Sequence, residues 1–207
     1  MNTIKIQQIV NSVYSSNSYI LSSSEGKDKD VWIIDIGDVD ELLKQIPSCA
    51  VINGVLFTHT HYDHIYGVNE LIARFPNVRL YTNKLGKKAL CSPKLNYSKY
   101  HQETTEIVCD KPENIEIVND GDQLMLFDDV LINVIATPGH DASCLTYITG
   151  NYVFSGDSFI PGIKTRATFF MSDKSKVELS EQLIVNLSTG KTLCPGHGPI
   201  YFEYKKN

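Results

Sequence analysis

Three of the six histidines in this chain lie in one short segment, His59-Thr-His61-Tyr-Asp63-His64, directly after the apolar run 51–57. Residues two apart in an extended chain point to the same side, so His59, His61 and Asp63 can converge. Imidazole nitrogens and carboxylate oxygens are the ligands that zinc prefers in catalytic sites. The segment therefore predicts a metal site at the end of a buried strand.

Three further candidate ligands follow strand-like runs later in the chain. His140 lies in TPGH (137–140) and His197 in PGHG (195–198), so a Pro-Gly pair precedes each of them. Proline fixes φ and glycine permits tight turns, so such a pair can aim the next side chain sharply. Asp157 in SGDS (155–158) can supply the bridging carboxylate that two ions need. Alone, each of the three is more typical of an ordinary structural residue, and the first cluster is what favours the ligand role.

The elements predicted around these residues are strands in hairpin clusters and a few helices. Hydrophobic patterns predict strands at 18–21, 31–35, 51–57, 79–82, 144–149, 151–155 and 192–194, with further strands between 115 and 136. Helices are predicted at 38–45, 68–75, 85–91 and 176–187, the second with Asp63 as its N-cap. Residues 22–30 read as a hairpin loop, and the polar segment 92–114 is ambiguous. The pattern favours an α+β or layered-sheet fold over a doubly wound parallel sheet.

Bulk properties narrow the class of protein. A length of 207 residues predicts a single domain over 1–207, and 42% hydrophobic with 21% charged residues is typical of soluble globular proteins. The net charge of −5 offers no broad basic surface, so nucleic acid is not an expected partner. Neither a signal peptide nor a membrane-spanning run is apparent. The five cysteines form no CxxC pair, which predicts mostly buried thiols and a cytoplasmic location.

The chain resembles the metallo-β-lactamase superfamily in four segments that occur in the same order: THTHYDH (58–64), TPGH, SGDS and PGHG. Residues 17–20 and 33–37 also resemble the first strands of that superfamily. The resemblance implies a four-layer αββα sandwich with two metal ions at one edge of its sheets. Carried over by position, it implies one ion held by His59, His61 and His140. A second ion would be held by Asp63, His64 and His197, with Asp157 as the bridge.

The chain is most similar to short glyoxalase II-like members of that superfamily. This implies a hydrolase in which hydroxide activated by two zinc ions attacks a small-molecule thioester or ester, such as a hydroxyacyl-glutathione. Iron or manganese would also suit these ligands. Asp63 and Asp157 are expected to be catalytic as well as metal-binding. Lys164 and Arg166 can hold a substrate carboxylate, or they can be part of a solvated loop, and Tyr62 can contact the substrate.

Several alternatives stay open at this point. The same ligands suit a persulfide dioxygenase with one iron on His59, His140 and Asp157, or a phosphodiesterase or nuclease of the superfamily. A non-catalytic binding protein is the remaining alternative. The basic and aromatic pattern with which glyoxalase II enzymes bind glutathione is not evident after Asp157. His101 is expected at the surface, and Tyr66 can contact the substrate as Tyr62 can.

Overall fold

Two β-sheets lie face to face in the computed structural model, which describes residues 4–23, 30–102 and 105–205. Within these residues the first sheet contains, in spatial order, β1 (Ile4–Val10), β2 (Asn17–Ser23), β3 (Asp30–Ile34), β4 (Val51–Leu56), β5 (Arg79–Thr82) and β6 (Ile115–Ile117). The second sheet contains β7 (Gln123–Phe127), β8 (Val130–Ala136), β9 (Leu145–Thr149), β10 (Tyr152–Gly156) and β11 (Thr192–Pro195), in the spatial order β11-β10-β9-β8-β7.

Alternating side chains along the strands build two separate cores on the faces of the first sheet. In β3, Trp32 and Ile34 point to the second sheet and pack in one cluster with Tyr147 and Phe154, whereas Ile33 points to the opposite face. This alternation follows from the period of two in an extended chain. The two sheets therefore bury a shared core between them.

Helices cover both outer faces. The helices α1 (Val39–Leu43), α2 (Tyr62–Ile65), α3 (Val68–Arg74) and α4 (Lys84–Leu90) pack on the outer face of the first sheet. The helix α5 (Lys174–Ser188) packs on the second sheet through Ile184 and Leu187, against Val153 of β10. This arrangement is the predicted αββα sandwich. No helix in the described part of the chain has the length and apolar composition that a membrane crossing requires.

Antiparallel pairs make up about half of the strand pairing, and the predicted hairpins are among them, whereas β1 and its pairing with β2 were not predicted. Strands β1–β2–β3 and β7–β8–β9–β10 pair in antiparallel fashion, as expected for hairpins. The strands β3, β4, β5 and β6 pair in parallel, and so do β10 and β11. Parallel neighbours need a crossover connection, and helices α1 to α5 lie in these crossovers. The parallel half of the first sheet was not predicted.

One local prediction is wrong, and the prediction of mostly buried cysteines is confirmed for three of the five. Asp63 is not the N-cap of the helix that begins near residue 68, because it lies inside the separate short helix α2, and Gly67 takes the N-cap position. Cys49 and Cys91 are exposed, while Cys109, Cys144 and Cys194 are buried as expected. Most of the predicted hairpin loop at 22–30 lies outside the described residues.

The ambiguous segment 92–114 is organised around the buried side chain of Asn96. Its amide donates hydrogen bonds to the carbonyl oxygens of Ala89 at 3.0 Å and Ile107 at 2.8 Å. The backbone carbonyl oxygen of Asn96 accepts a hydrogen bond from the backbone N–H of Tyr62 at 2.9 Å. A buried amide with its partners in place holds a loop in one conformation. The segment is thereby fixed against α2, beside the histidine cluster.

Candidate metal centre

All seven predicted ligand residues meet at one end of the sandwich, where strands of both sheets terminate. His59, His61, Asp63 and His64 follow β4 of the first sheet. The other three follow strands of the second sheet: His140 after β8, Asp157 after β10 and His197 after β11. The fold therefore unites segments that are far apart in sequence.

The first group of donor atoms comes from His59, His61 and His140, which lie within 4.8 Å of one another. Nδ1 of His61 is 3.0 Å from Nε2 of His140. All three side chains are buried. Three imidazoles at this spacing are the ligand set of a catalytic zinc site with an open fourth position.

The second group comes from Asp63, His64 and His197, again within 4.8 Å of one another. Nε2 of His197 is 3.3 Å from Nε2 of His64 and 3.4 Å from Oδ2 of Asp63. Two donor atoms on one tetrahedral zinc ion, each at about 2.0–2.1 Å, lie about 3.3–3.4 Å apart. The spacing of this group fits one ion.

Asp157 lies between the two groups. Its Oδ2 is 3.6 Å from Nε2 of His140 in the first group and 3.4 Å from Nε2 of His197 in the second. Its Oδ1 is 3.5 Å from Nε2 of His64. One carboxylate that reaches donors of both groups is in the position that a bridging ligand requires.

Backbone carbonyl oxygens determine which ring nitrogen carries the hydrogen in two of the histidines. They lie on the side of each ring that faces away from the cluster. Nδ1 of His140 donates to the carbonyl oxygen of Arg166 at 2.7 Å, and Nδ1 of His197 donates to that of Tyr14 at 3.1 Å. A carbonyl oxygen can only accept, so Nδ1 carries the hydrogen in both rings. In the neutral form, Nε2 then presents its lone pair to the cluster.

Side-chain oxygens contact the outward-facing ring nitrogen of each of the other three histidines. Nδ1 of His64 donates to Asp35 at 3.0 Å, Nε2 of His61 lies 3.4 Å from Asp141, and Nδ1 of His59 lies 3.2 Å from the hydroxyl of Thr58. Asp35 also accepts from the backbone N–H and the hydroxyl of Thr58. Each imidazole is therefore oriented by a partner on the nitrogen that points away from the cluster.

Two polar atoms inside the cluster indicate that it is built for a cation. Nε2 of His59 and Oδ1 of Asp157 are buried without a hydrogen-bond partner. Buried polar atoms are almost always satisfied, so an orphaned lone pair at this place calls for a ligand. The donor set and these two atoms fit divalent metal ions.

The electrostatics also favour positive charge between the carboxylates. Burial opposes the charged form of His197, but its hydrogen bonds to Asp157 and Asp63 outweigh burial and raise its pKa to about 11. Burial also opposes ionisation of Asp157, yet His64 and His197 hold the pKa of Asp157 well below its ordinary value. In the first group, burial and the neighbouring His61 lower the pKa of His140 to about 4, which leaves its lone pair available. The cluster thus combines a neutral imidazole with carboxylates that attract a cation.

Glycines make room for this arrangement. A Cβ atom on Gly196 would clash with Oδ1 of Asp157 and with the backbone of Gly156. Gly139, before His140, has φ +147° and lies against the backbone of Val177. The two Pro-Gly pairs therefore act differently, one through close approach and the other through a backbone conformation that other residues rarely adopt.

A cavity of about 480 Å³ opens onto the cluster, and the predicted substrate-contacting residues Tyr62, Lys164 and Arg166 all line it. The guanidinium of Arg166 lies over the ring of Phe169, 4.8 Å from its centroid. Phe169 in turn contacts His61, with ring centroids 4.6 Å apart. Arg166 is therefore held close to the first group.

Two aromatic residues take positions that the sequence did not settle. Tyr66 is absent from the described cavity lining, and its hydroxyl donates to Asp38 at 2.5 Å instead. His101, expected at the surface, lines the cavity and stacks on Tyr62, with ring centroids 4.1 Å apart. His101 belongs to no motif and lies in the ambiguous segment, so nothing in the sequence indicated that it lines the cavity.

Comparison with known proteins places this geometry in a family. The family model of the metallo-beta-lactamase superfamily matches residues 50–197, which is more than half of the chain. The hydroxyacylglutathione hydrolase of Pseudoalteromonas translucida is 27% identical over 150 residues, covering 71% of this chain and 48% of that protein. That of Actinobacillus pleuropneumoniae is 32% identical over 149 residues, covering 71% and 52%. The matched region thus spans about half the length of these relatives.

A solved structure extends the similarity to nearly the whole chain. The BLEG-1 B3 metallo-beta-lactamase superimposes with a TM-score of 0.84 at 25% identity, covering 95% of this chain and 93% of that one. The family model, the fold and the converging histidines and aspartates agree with one another. The chain belongs to the metallo-β-lactamase superfamily.

Proposed function

We propose that this protein is a metal-dependent hydrolase of thioesters or related esters, with hydroxyacyl-glutathione as the first substrate to test. The observation that carries the proposal is the convergence of seven donor residues. All five imidazoles among them are oriented by a partner on the ring nitrogen that points away from the cluster. The hydroxyacylglutathione hydrolases among its relatives support the substrate class. Because the match covers about half of their length, specificity for glutathione is part of the proposal.

We assign the ligands in two sets. His59, His61 and His140 would hold one zinc ion, Asp63, His64 and His197 would hold the second, and Asp157 would bridge them. The buried orphaned atoms of His59 and Asp157 support this assignment. Bound divalent cations would supply Lewis acidity, which polarises the carbonyl group of the substrate and acidifies water.

The reaction adds water across the acyl–sulfur bond and releases a carboxylic acid and a thiol. Burial would raise the pKa of Asp63, but the charges of His64 and the hydrogen bond from His197 more than offset it and lower the pKa. Asp63 is therefore ionised at neutral pH and acts as a hydrogen-bond acceptor that orients the attacking water. Correct orientation of the nucleophile is itself a large part of catalysis.

Residues of the cavity wall would position the substrate. Arg166 is held by Phe169 and by a hydrogen bond from its Nε to the hydroxyl of Thr168 at 3.2 Å. A cation that is already ordered loses little entropy when it binds a carboxylate. Lys164 lines the same wall and adds positive charge, and Tyr62 forms the neighbouring wall.

Elemental analysis of the purified protein, combined with a substrate panel, tests the proposal. We expect about two zinc ions per chain, hydrolysis of thioesters, and loss of both metal and activity in His61→Ala. The panel includes a lactone, a phosphodiester, a β-lactam and a persulfide. Iron together with oxidation of the persulfide would instead identify a dioxygenase, and turnover of the phosphodiester alone would identify a phosphodiesterase. Unchanged metal content and rate in His61→Ala would refute the assignment of the site.

A further inference from the structure

The cavity above the candidate ligands has two ends of different chemistry. The carbonyl oxygen of Tyr14 accepts a hydrogen bond from His197, so Tyr14 lies beside the second group of ligands. The carbonyl oxygen of Arg166 accepts a hydrogen bond from His140, so Arg166 lies beside the first group. The two wall segments therefore lie beside different ligand groups of the cluster.

The end beside His197 is aromatic, and we call its three residues, Tyr14, Tyr62 and His101, the aromatic shelf. The rings of Tyr62 and His101 stack with an interplanar angle of 22°. The ring of Tyr14 stands edge-on to both, at 5.8 Å from Tyr62 and 6.1 Å from His101. Tyr62 is buried, whereas Tyr14 is 56% exposed, so Tyr14 contributes more accessible ring surface to the shelf than Tyr62 does.

The end beside His140 is cationic. Arg166 and Lys164 line it, and Phe169 forms the surface on which the guanidinium rests. The carboxylates that line the cavity, Asp63 and Asp157, belong to the ligand cluster between the two ends. A group bound at this end therefore meets positive charge with no competing side-chain carboxylate beyond the cluster among the described lining residues.

From these two ends we infer that the physiological substrate carries an anionic group on one side of its ester or thioester bond and a planar ring on the other. The inference rests on the proposed hydrolase function and narrows its substrate class. The anion pairs with Arg166 and Lys164, the ring packs on the aromatic shelf, and the bond to be cleaved lies over the cluster. A cavity of about 480 Å³ is of the size that holds such a small molecule.

A planar ring is favoured over an aliphatic group of equal size for a physical reason. Both would bury apolar surface against Tyr14, but only a π-system gains the additional attraction of offset-stacked or edge-to-face contacts. Glutathione has carboxylates but no ring, so in a thioester of glutathione the shelf would contact the acyl group. The aromatic shelf would thus determine specificity through residues that are not candidate metal ligands.

Binding of a matched pair of stable amides tests this inference without requiring turnover. N-benzylsuccinamate and N-(cyclohexylmethyl)succinamate carry the same carboxylate and differ only in the planarity of the ring. Isothermal titration calorimetry on the metal-loaded protein measures both dissociation constants. We expect the benzyl compound to bind about fivefold more tightly. The ratio of the two dissociation constants should fall to about one in Tyr14→Leu and in His101→Leu. Arg166→Gln should weaken the binding of both compounds equally.

Matched controls separate the shelf from general effects. Tyr100 is 60% exposed, similar to Tyr14, but does not line the cavity, so Tyr100→Leu should retain the preference. Tyr14→Phe keeps the ring and should also retain it. Equal affinities of the two amides for the wild-type protein would overturn the inference, and so would a preference that survives in both leucine variants. Failure to hydrolyse any thioester would count against the proposed function alone, because the amides report binding without cleavage.

Discussion

The carboxylate of Asp35 accepts a hydrogen bond from Nδ1 of His64 at 3.0 Å, on the side of the imidazole away from the candidate ligand cluster. The same oxygen of Asp35 accepts the hydroxyl of Thr58 at 2.6 Å, and that hydroxyl lies 3.2 Å from Nδ1 of His59. Asp35 therefore supports one histidine of each group, directly or through one hydroxyl, although it contributes nothing to the cavity lining.

We expect Asp35→Asn to weaken metal binding about 10- to 100-fold, because an amide is a poorer acceptor for the imidazole and for Thr58. Competition with a chromogenic chelator measures the affinity. Asp30→Asn is the matched control, since Asp30 begins the same strand and hydrogen-bonds Asn53 far from the cluster. Equal affinity of Asp35→Asn and wild type would show that the ligands hold their orientation without this support.

Substitution of Gly196 should disrupt the cluster through a steric clash. In Gly196→Ala the new methyl group would collide with Oδ1 of Asp157, which must move away from its position between the groups. We expect loss of at least one metal ion, measured by elemental analysis. Gly150→Ala is the control: its φ of +53° makes the variant strained by about 1–2 kcal/mol, but open space surrounds the site. Full metal content in both variants would contradict the prediction.

Asp38 should make stability depend on pH in the acidic range. Burial raises its pKa, but the hydrogen bonds from Tyr66 and Ser12 together outweigh burial and lower the pKa below its ordinary value. A carboxylate with a lowered pKa stabilises the folded state above its unfolded pKa of about 3.9, and this stabilisation is lost as the pH falls through the folded pKa. We therefore expect Asp38→Asn to lower the free energy of unfolding by about 1 kcal/mol at pH 7.

Urea denaturation of wild type and Asp38→Asn at pH 7 and pH 3 tests this sign. The gap between the two proteins should narrow at pH 3, because this pH lies below the unfolded pKa of about 3.9, where the stabilisation by the ionised carboxylate is being lost. Tyr66→Phe removes one donor to Asp38 and should show part of the same effect. A gap that widens at acidic pH would mean that Asp38 does not stabilise the fold through its charge.

Removal of metal should lower the thermal stability of the protein. An ion that binds only the folded state adds about 2.7 kcal/mol when its free concentration is about 100 times Kd. We expect a chelator to lower Tm in wild type and to leave Tm of His61→Ala almost unchanged, as followed by calorimetry. An identical fall in both proteins would point to an effect of the chelator unrelated to the cluster.

Local sequence patterns sufficed for the candidate ligands and for most strands. The spacing of His59 and His61 already places them on one side of an extended chain, and the Pro-Gly pairs before His140 and His197 mark tight turns. Asp63 joins the cluster from within α2, so the extended spacing did not apply to it. Residue spacing and Pro-Gly pairs can be recognised in the sequence alone, without knowledge of the fold. The same holds for the alternating strands β9 and β10, whose hairpin is confirmed.

The groups that orient the ligands could not be predicted because they act through main-chain atoms or across long distances in sequence. The acceptors for His140 and His197 are the carbonyl oxygens of Arg166 and Tyr14, and any residue type has such an oxygen. His101 reaches the cavity only because Asn96 fixes its loop against α2. The parallel strand pairing escaped prediction for a related reason, since a crossover connection separates the paired strands in sequence.

The division of the candidate ligands between the two sheets has a kinetic consequence. Four of them follow β4 in the first sheet and three follow strands of the second, so neither layer alone offers a complete set. Ions held by all seven would cross-link the two layers, so metal binding and separation of the layers would oppose each other. Core substitutions between the sheets, far from any histidine, would then shorten the half-life of bound metal in excess chelator.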